Sequence, residues 1–362
     1  MFSLGFQREM RGNILFEVSY LSTQSRHLND RLQLNWLPEQ YWSLGPLLNK
    51  PLNSPEVVAA GFTAPYAGFD TSQPLYQALR PYPQYGDIAD DATTGTSGSY
   101  HAAIIKAQKR FSNGLSFLAS YTVSKFMTDS QWAPGGFGGF PTIANNRKLD
   151  KGVYRFDIPQ ALVLSYTYQL PFGRGKKFLA NSNKVANAIV GGWEISGLHR
   201  YQAGAPASFA DTFNTTIPTI GGIANRVAGV PTRSSLSCSE LEFGNPQKNY
   251  LFNAGNAEEA ARTGRPLAFA PAGEFQIGNT PRIDPQARQC GWQNENVSLT
   301  KNFVIREKMR FQLGAEAYNL LNRHTWESGA FGQSVTAPNF GEITPSQPYG
   351  PRRVQLKLRM EW

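Results

Sequence analysis

Residues 353–362 read RVQLKLRMEW, and their alternation decides the fold class. Charged and amide side chains occupy the odd-numbered positions. The even-numbered positions are all apolar: Val354, Leu356, Leu358, Met360 and Trp362. Successive side chains of an extended strand point to opposite faces. The stretch therefore predicts a terminal β-strand with one apolar face and one polar face.

The same alternation recurs along the chain and predicts an all-β protein of nine or ten strands. In NILFEVSYL (13–21) the even positions are apolar, and in LSFLASYTVSK (115–125) the odd positions form the more apolar set. Further strands are predicted near residues 2–9, 100–111, 158–172, 193–202, 296–304 and 309–321. No run of eighteen apolar residues occurs, so a helical membrane protein is excluded. A transmembrane β-barrel hides its hydrophobicity at alternate positions and is not excluded.

Short and long connections alternate between these strands. MRGN, SNG and IREK are short, and a stretch of about twenty residues contains a possible short helix, NKVANAIV. Outer-membrane barrels have short periplasmic turns and long extracellular loops, whereas a soluble β-sandwich would not segregate them. Residues 1–362 are thus predicted to form part of one antiparallel transmembrane β-barrel in the cell outer membrane. Its long external loops are predicted at about 22–98, 126–154, 204–294 and 323–350.

Aromatic residues gather at both ends of the predicted strands, as expected for the girdles at the two membrane interfaces. The periplasmic ends carry Phe111, Phe172, Trp193, Phe303 and Trp362, and the external ends carry Tyr20, Tyr121 and Tyr201. The terminal strand would place its apolar side chains against outer-membrane lipid. Deleting Trp362, or placing a charge at Leu358, is expected to prevent membrane assembly.

The two cysteines, Cys238 and Cys290, lie in one Gly- and Pro-rich region. Their spacing permits a disulfide bond in an oxidising compartment, and two separate thiols are the alternative. The first residues lack a secretory signal, so either the protein is cytoplasmic or Met1 is not the native start.

Composition and motifs argue against nucleic-acid binding and catalysis. The net charge of +9 comes from basic residues that are spread along the chain without a nucleic-acid-binding motif. The four histidines lack metal-ligand spacing, and no phosphate-binding loop or nucleophile elbow occurs. We therefore expect no enzyme activity, no cofactor and no nucleic-acid partner.

Two sets of residues leave alternatives open. Aromatic side chains in the first long loop either pack together or form platforms for a ligand: Tyr41, Trp42, Phe62, Tyr66, Phe69, Tyr76, Tyr82 and Tyr85. Charged residues of the polar parity either pair across strands or form an electropositive conduit for anionic substrates: Lys106, Arg110, Arg310, Glu316, Lys357 and Arg359.

Several stretches carry a resemblance to a known family. They are SYHAAIIKAQKRFSNGLSFLASYTVSK (99–125), YQLPFGRGKKF (168–178), IVGGWEISGLHRYQAGAPASF (189–209), KMRFQLGAEAYNLLNR (308–323) and the terminal strand. Together they resemble the C-terminal part of TonB-dependent outer-membrane receptors of the Oar-like, carboxypeptidase-regulatory-domain type. The resemblance implies a barrel of about twenty-two strands around a plug. It also implies energy-coupled uptake through the TonB complex, and a terminal strand read by the barrel-assembly machinery.

The sequence departs from that family in several places. FDIPQALVLSY (156–166) has Pro159 and Gln160 where relatives tend to carry a basic, His-containing stretch. Nine strands are too few for the family barrel, and no stretch resembles a plug or a TonB-contacting segment. We expect the chain to be a fragment of a transporter for an unidentified ligand. A non-transporting barrel that displays adhesive or binding loops is the alternative.

Overall fold

A computed structural model describes residues 1–130, 147–209, 217–218, 223–281, 283–306, 309–327, 329, 331–345 and 350–361. The strands are β1 (Phe2–Met10), β2 (Ile14–Gln33), β3 (Ala89–Ser112), β4 (Leu115–Thr128), β5 (Gly152–Val153), β6 (Gln160–Gln169), β7 (Trp193–Gln202), β8 (Pro206–Ser208), β9 (Asn225–Arg226), β10 (Phe269–Ala270), β11 (Ile283–Arg288), β12 (Trp292–Arg306), β13 (Met309–Tyr318) and β14 (Arg353–Glu361). The helices are α1 (Pro55–Ala59), α2 (Leu75–Ala78), α3 (Lys184–Val190), α4 (Ala257–Thr263) and two 3-10 segments, Glu39–Asn49 and Arg147–Asp150. None of the described helices has the length and apolar character needed to cross a bilayer.

One antiparallel sheet dominates the fold and confirms the all-β prediction. Its strand order is β1-β2-β3-β4-β6-β7-β12-β13-β14, and the short β5 pairs with β4 to give ten strands. Every strand on this path pairs antiparallel with its neighbour on the path. Within the described residues β1 and β14 are the two edges of the sheet, which does not close on itself.

This topology places short and long connections at opposite ends of the sheet. The described residues at the turn end are 11–13, 113–114 and 170–192, and those at the loop end belong to the connections 34–88, 129–159, 203–291 and 319–352. Asn113 and Gly114 have φ values of 51° and 78°, the left-handed conformation of a two-residue hairpin. The helix predicted in NKVANAIV is α3, whose N-cap Asn183 accepts a hydrogen bond from the Ala186 N–H.

The first long loop is shorter than the sequence predicted. We placed it at about 22–98, but β2 and β3 stay paired up to Gln33 and Ala89. Beyond Ser22 polar side chains occupy both the odd and the even positions, so neither face of the strand is continuously apolar there. The alternation therefore ends while the strands continue. The loop ends of two other strands also lie beyond their predicted ends: β4 runs to Thr128 and β12 begins at Trp292.

The sheet has two chemically distinct faces, since directly paired residues point to the same side. One row of partners is Val18, Ile105, Tyr121, Leu162 and Tyr201, and another continues through Leu313 and Leu358. We call this side the apolar face. Many of its side chains stand exposed, among them Ile105, Val123, Leu313 and Leu358. The opposite side, with partners such as Glu17 and Lys106, is the polar face.

The buried hydrophobic core lies mainly in the long connections and not in the sheet. We call the described residues of the four long connections the loop cap. Its larger cluster packs Phe252, Phe269 and Phe340 with Trp326 and Ile343, all buried. A smaller cluster within 34–88 contains Leu52, Val57, Phe69, Leu75 and Ala78. The cap is thus a folded body with its own core at the loop end of the sheet.

Candidate functional site

The polar face lines an open concavity of about 580 Å³. Its lining comes from β3, β4, β6, β7, β12 and β13, so the sheet curls with the polar face inside. Two rows of paired residues supply most of the wall: Gln108, Leu118, Ser165, Leu198 and Asn296, and then Ser116, Thr167, Ser196, Ser298 and Glu316. Seven of these ten side chains carry a hydroxyl or an amide group. This wall can exchange hydrogen bonds with a polar solute that passes along it.

Charges on the polar face are paired across strands. Lys106 Nζ lies 3.8 Å from Glu17 Oε2, its direct partner in the register. Lys357 Nζ lies 3.5 Å from Glu316 Oε1 on the neighbouring strand. At these positions the structure favours cross-strand pairing over an electropositive conduit. The side chain of Arg310 lies outside the described part of the chain.

Buried carboxylates, each paired with an arginine, fasten the loop cap. Arg288 Nη2 donates to Asp157 Oδ2 at 2.7 Å, which joins the connections 203–291 and 129–159. Arg147 Nη1 donates to Asp30 Oδ2 at 2.7 Å and ties the second connection to β2. Breaking such a buried pair leaves an uncompensated charge. The pairs therefore specify how the loops assemble.

A third pair lies at α4, within the cap. Glu259 accepts hydrogen bonds from the Gly255 N–H at 2.8 Å and from Arg265 Nη2. Burial raises the pKa of the Glu259 carboxyl, whereas both of these donors oppose that rise. The Arg265 guanidinium also lies 3.6 Å above the centre of the Tyr250 ring.

Cys238 and Cys290 are joined by a disulfide bond, with their Cα atoms 5.7 Å apart. The bond links the interior of the long connection to the residues just before β12. Arg233 Nη2 lies 3.0 Å from Cys238 Sγ, and burial lowers the pKa of this guanidinium. Beside the bond the cap has a cavity of about 810 Å³, lined among others by Arg323, His324 and Trp326.

The aromatic residues of the first long connection divide into two groups. Phe69 is buried and Phe62 packs against the same cluster, so these two rings stabilise the loop. Tyr66, Tyr82 and Tyr85 are exposed instead. The Asn35 amide donates to the carbonyls of both Tyr82 and Tyr85, which fixes the backbone that carries these rings. Packing and exposed platforms therefore coexist in one connection.

The structure places the predicted terminal strand at the edge of the sheet. Val354, Leu356, Leu358 and Met360 lie on the apolar face of β14, paired with Ala317, Ala315, Leu313 and Phe311. All four are exposed. Trp362 lies outside the described residues.

The described residues predicted for the periplasmic girdle lie towards the turn end of the sheet, but only one of the three predicted for the external girdle lies at the loop end. Trp193, Phe303 and Phe111 are close to the turn end, and Phe172 follows β6 there. Phe303 lies 6.1 Å from Phe311, measured between ring centres. Tyr201 lies at the loop end of β7, whereas Tyr121 lies midway along β4 and Tyr20 lies nearer the turn end of β2, because β2 and β4 continue past their predicted ends. Tyr20 donates to or accepts from His101 Nδ1 at 2.7 Å.

Sequence reasoning missed Lys301, which lies on the apolar face at the turn end. Its side chain is only 3% exposed and donates to the Gly191 carbonyl. The ammonium also lies 5.5 Å from the Trp193 ring centre and 5.0 Å from that of Phe303. Its parity was a usable signal, because Lys301 shares the odd positions of Val297, Leu299 and Phe303, but its partner Gly191 could not be found from spacing.

Gly197 is a second residue that the sequence did not single out. It pairs with Tyr166 on the apolar face, and a Cβ atom at Gly197 would lie 2.7 Å from the Tyr166 ring. The His199 ring stacks on the other side of this tyrosine, with ring centres 5.5 Å apart. The ring thus covers the bare backbone, as aromatic residues do opposite glycine in designed sheets. His, Cys, Asp and Glu side chains of the described ranges form no group of three that could hold a metal ion.

The sequence and the structure were compared with known proteins. The crystal structure of the outer membrane transporter YddB from Escherichia coli is similar over 99% of this chain, with 8% identity and a TM-score of 0.43. The match covers 32% of the YddB chain, so this chain spans about a third of that length. No curated protein matches the sequence. The family described as the outer membrane beta barrel domain matches residues 1–355. Because this match spans nearly the whole sequence, the chain belongs to the outer membrane beta barrel domain family and resides in the outer membrane.

Proposed function

We propose that this chain forms the C-terminal barrel wall and external loops of a TonB-dependent outer-membrane transporter that takes up an unidentified substrate. One arrangement supports the proposal: a curled sheet has an exposed apolar face, an opposite face that lines an open concavity with many hydroxyl and amide side chains, and a folded cap at one end. The resemblance of the sequence to Oar-like receptors adds the dependence on TonB.

In this mechanism the loop cap lies outside the cell and captures the ligand. The cavity beside Trp326 and the exposed rings of Tyr66, Tyr82 and Tyr85 are candidate contact surfaces. The ligand then passes along the polar wall after a plug, supplied by another part of the protein, is displaced by the TonB complex. This chain contributes binding and a conduit, and no catalytic step is assigned to it.

Assembly requires two further partners in this proposal. Outer-membrane lipid covers the apolar face, because a protein rarely leaves so continuous an apolar surface in water. The barrel-assembly machinery would recognise β14, whose edge offers unpaired backbone groups for strand addition.

Display of binding loops without transport is the second candidate function. It is favoured by the cap itself, which has its own core, buried ion pairs and a disulfide bond. A cap of this kind could hold an adhesive surface whether or not anything passes through the barrel.

A comparison of deletion strains tests the proposal. The gene for this chain and the gene for TonB are deleted separately in the native organism, and solutes left in a complex medium are measured by mass spectrometry. If the chain belongs to a transporter, the solutes that remain in the medium of the strain lacking this gene should also remain in the medium of the strain lacking TonB. Restoring the gene should restore their uptake. If the first deletion spares no solute but reduces adhesion of cells, display is the function instead.

A further inference from the structure

The connection 170–192 at the turn end exposes an unusual amount of apolar surface. It contains α3, in which Val185 is 72% exposed and Ile189 is 66% exposed. Phe172, Phe178 and Leu179 of the same connection are exposed as well. A seven-residue helix with no buried residue gains little from packing inward. The described part of the chain therefore leaves this apolar surface uncovered.

The connection has an internal structure that holds these side chains in place. The Gly173 N–H donates to the Phe178 carbonyl and the Phe178 N–H donates to the Pro171 carbonyl, both at 2.9 Å. The rings of Phe172 and Phe178 lie 5.6 Å apart. Asn187 on α3 accepts a hydrogen bond from the Arg174 N–H at 2.7 Å. Turn and helix thus form one ordered unit.

Two side chains of the apolar face fasten this unit to the sheet. Trp193 Nε1 donates to the Ile189 carbonyl at 2.8 Å, and Lys301 Nζ donates to the Gly191 carbonyl. Trp193 and Lys301 are register partners on the apolar face. The C-terminal end of α3 is therefore held beside the lipid-facing side of the sheet. Its exposed apolar residues continue the apolar face of the sheet.

The charge of the connection is entirely positive. It carries Arg174, Lys176, Lys177 and Lys184 and no aspartate or glutamate. All four cations are exposed, and none forms an ion pair with a carboxylate in the part of the chain that the structure describes. Exposed apolar side chains next to unpaired cations are typical of segments that lie in a membrane interface and attract anionic lipids.

We propose that residues 170–192 form an interfacial anchor that binds anionic phospholipid headgroups in the periplasmic leaflet. Phe172, Phe178, Val185 and Ile189 insert at the boundary between headgroups and acyl chains, and the four cations contact phosphate groups. Continuity with the apolar face selects lipid over a protein partner. The position at the turn end selects the periplasmic leaflet, because outer-membrane barrels have their short turns there. The inference rests on membership of the barrel family and not on transport.

Lipid selectivity of the full chain tests the cationic part. The chain is reconstituted in phosphatidylcholine bilayers, and the association of spin-labelled phosphatidylglycerol is compared with that of spin-labelled phosphatidylcholine. The wild type should prefer the anionic lipid by about five-fold or more, the factor for one surface cation, with a decline at high salt. The variant Arg174→Gln/Lys176→Gln/Lys177→Gln/Lys184→Gln should show a ratio near one.

A matched control removes four exposed cations from the loop cap: Lys148→Gln, Lys151→Gln, Arg155→Gln and Lys248→Gln. It carries the same change in net charge and should keep the wild-type ratio. Equal loss in both variants would mean that only net charge matters and would overturn the proposal. Bilayers containing lipopolysaccharide form a second arm, since its phosphates are also anionic. A preference for lipopolysaccharide that the first variant abolishes would refute the leaflet assignment.

A depth measurement tests the apolar part without altering the cations. Both native cysteines are in the disulfide, so a cysteine introduced at Ile189 can be labelled alone. A fluorophore there should be quenched strongly by lipids with a nitroxide near the headgroup and weakly by aqueous iodide. A label at Lys248 in the cap should show the opposite pattern. Strong iodide quenching at both sites would show that α3 lies in water.

Discussion

Replacing Leu356 by arginine should separate a lipid-facing strand from a water-exposed one. Leu356 is 80% exposed on β14 and pairs with Ala315 on the apolar face. An arginine on the lipid face of a barrel costs about 2–4 kcal/mol near the middle of the bilayer. The folded fraction relative to the unfolded one should fall by about 30-fold to about 700-fold. At an exposed site in water the same change costs within about 0.5 kcal/mol.

Gln355 supplies the matched control, because it is the next residue and points to the polar face opposite Glu316. Gln355→Arg should be neutral, or should stabilise the strand by about 0.2–1 kcal/mol through a cross-strand charge pair. Both variants are titrated with guanidinium in isolated outer membranes, and folded protein is read from its mobility in unheated gels. Equal midpoints for Leu356→Arg and Gln355→Arg would refute the assignment of the two faces.

Three further predictions concern the packing of the cap and the sheet. Phe252→Ala removes a fully buried ring and should lower the stability of the cap by about 3–5 kcal/mol. Trypsin added to intact cells should then cut the cap faster, and an unchanged rate would count against this core. Cys290→Ser removes the bond to Cys238 and should destabilise the cap by about 2–5 kcal/mol; wild-type protein should take up a maleimide only after reduction, so labelling without reductant would show that the bond is absent. Gly197→Val places a side chain against the Tyr166 ring and should lower the stability of the sheet by about 1–3 kcal/mol through overpacking. In denaturant titrations, adding Tyr166→Ala should restore part of that stability, and strictly additive effects of the two substitutions would contradict the contact.

The sheet could be predicted from the sequence because the alternation of apolar and polar residues is a local property of each strand. Alternation from Val354 to Met360 needs no information about distant residues, and Asn113-Gly114 dictates its hairpin. Strand order followed from antiparallel neighbours joined in succession. The loop-end halves of β2 and β3 could not be predicted, because polar residues on both faces leave no alternation of apolar and polar positions.

The cap and the buried lysine depend on contacts between residues far apart in the sequence. Asp157 accepts a hydrogen bond from Arg288, 131 residues away in the sequence, and Lys301 donates one to Gly191, 110 residues away. No spacing rule connects such positions. The two cysteines were a partial exception, because their shared region restricted the choice to a bond or two thiols. The open concavity on the polar face also escaped prediction, because it depends on how strongly the sheet curls.

The central claim is that the polar face lines a wet interior while the apolar face meets lipid, and cysteine scanning of β4 tests it most directly. Single cysteines are introduced at each position from Ser116 to Val123 in native outer membranes, with no other free thiol present. A water-soluble maleimide should label the even positions, which include Ser116 and Leu118, and should spare the odd ones, which include Phe117 and Tyr121. Uniform labelling along β4, or labelling of the odd positions alone, would contradict the account.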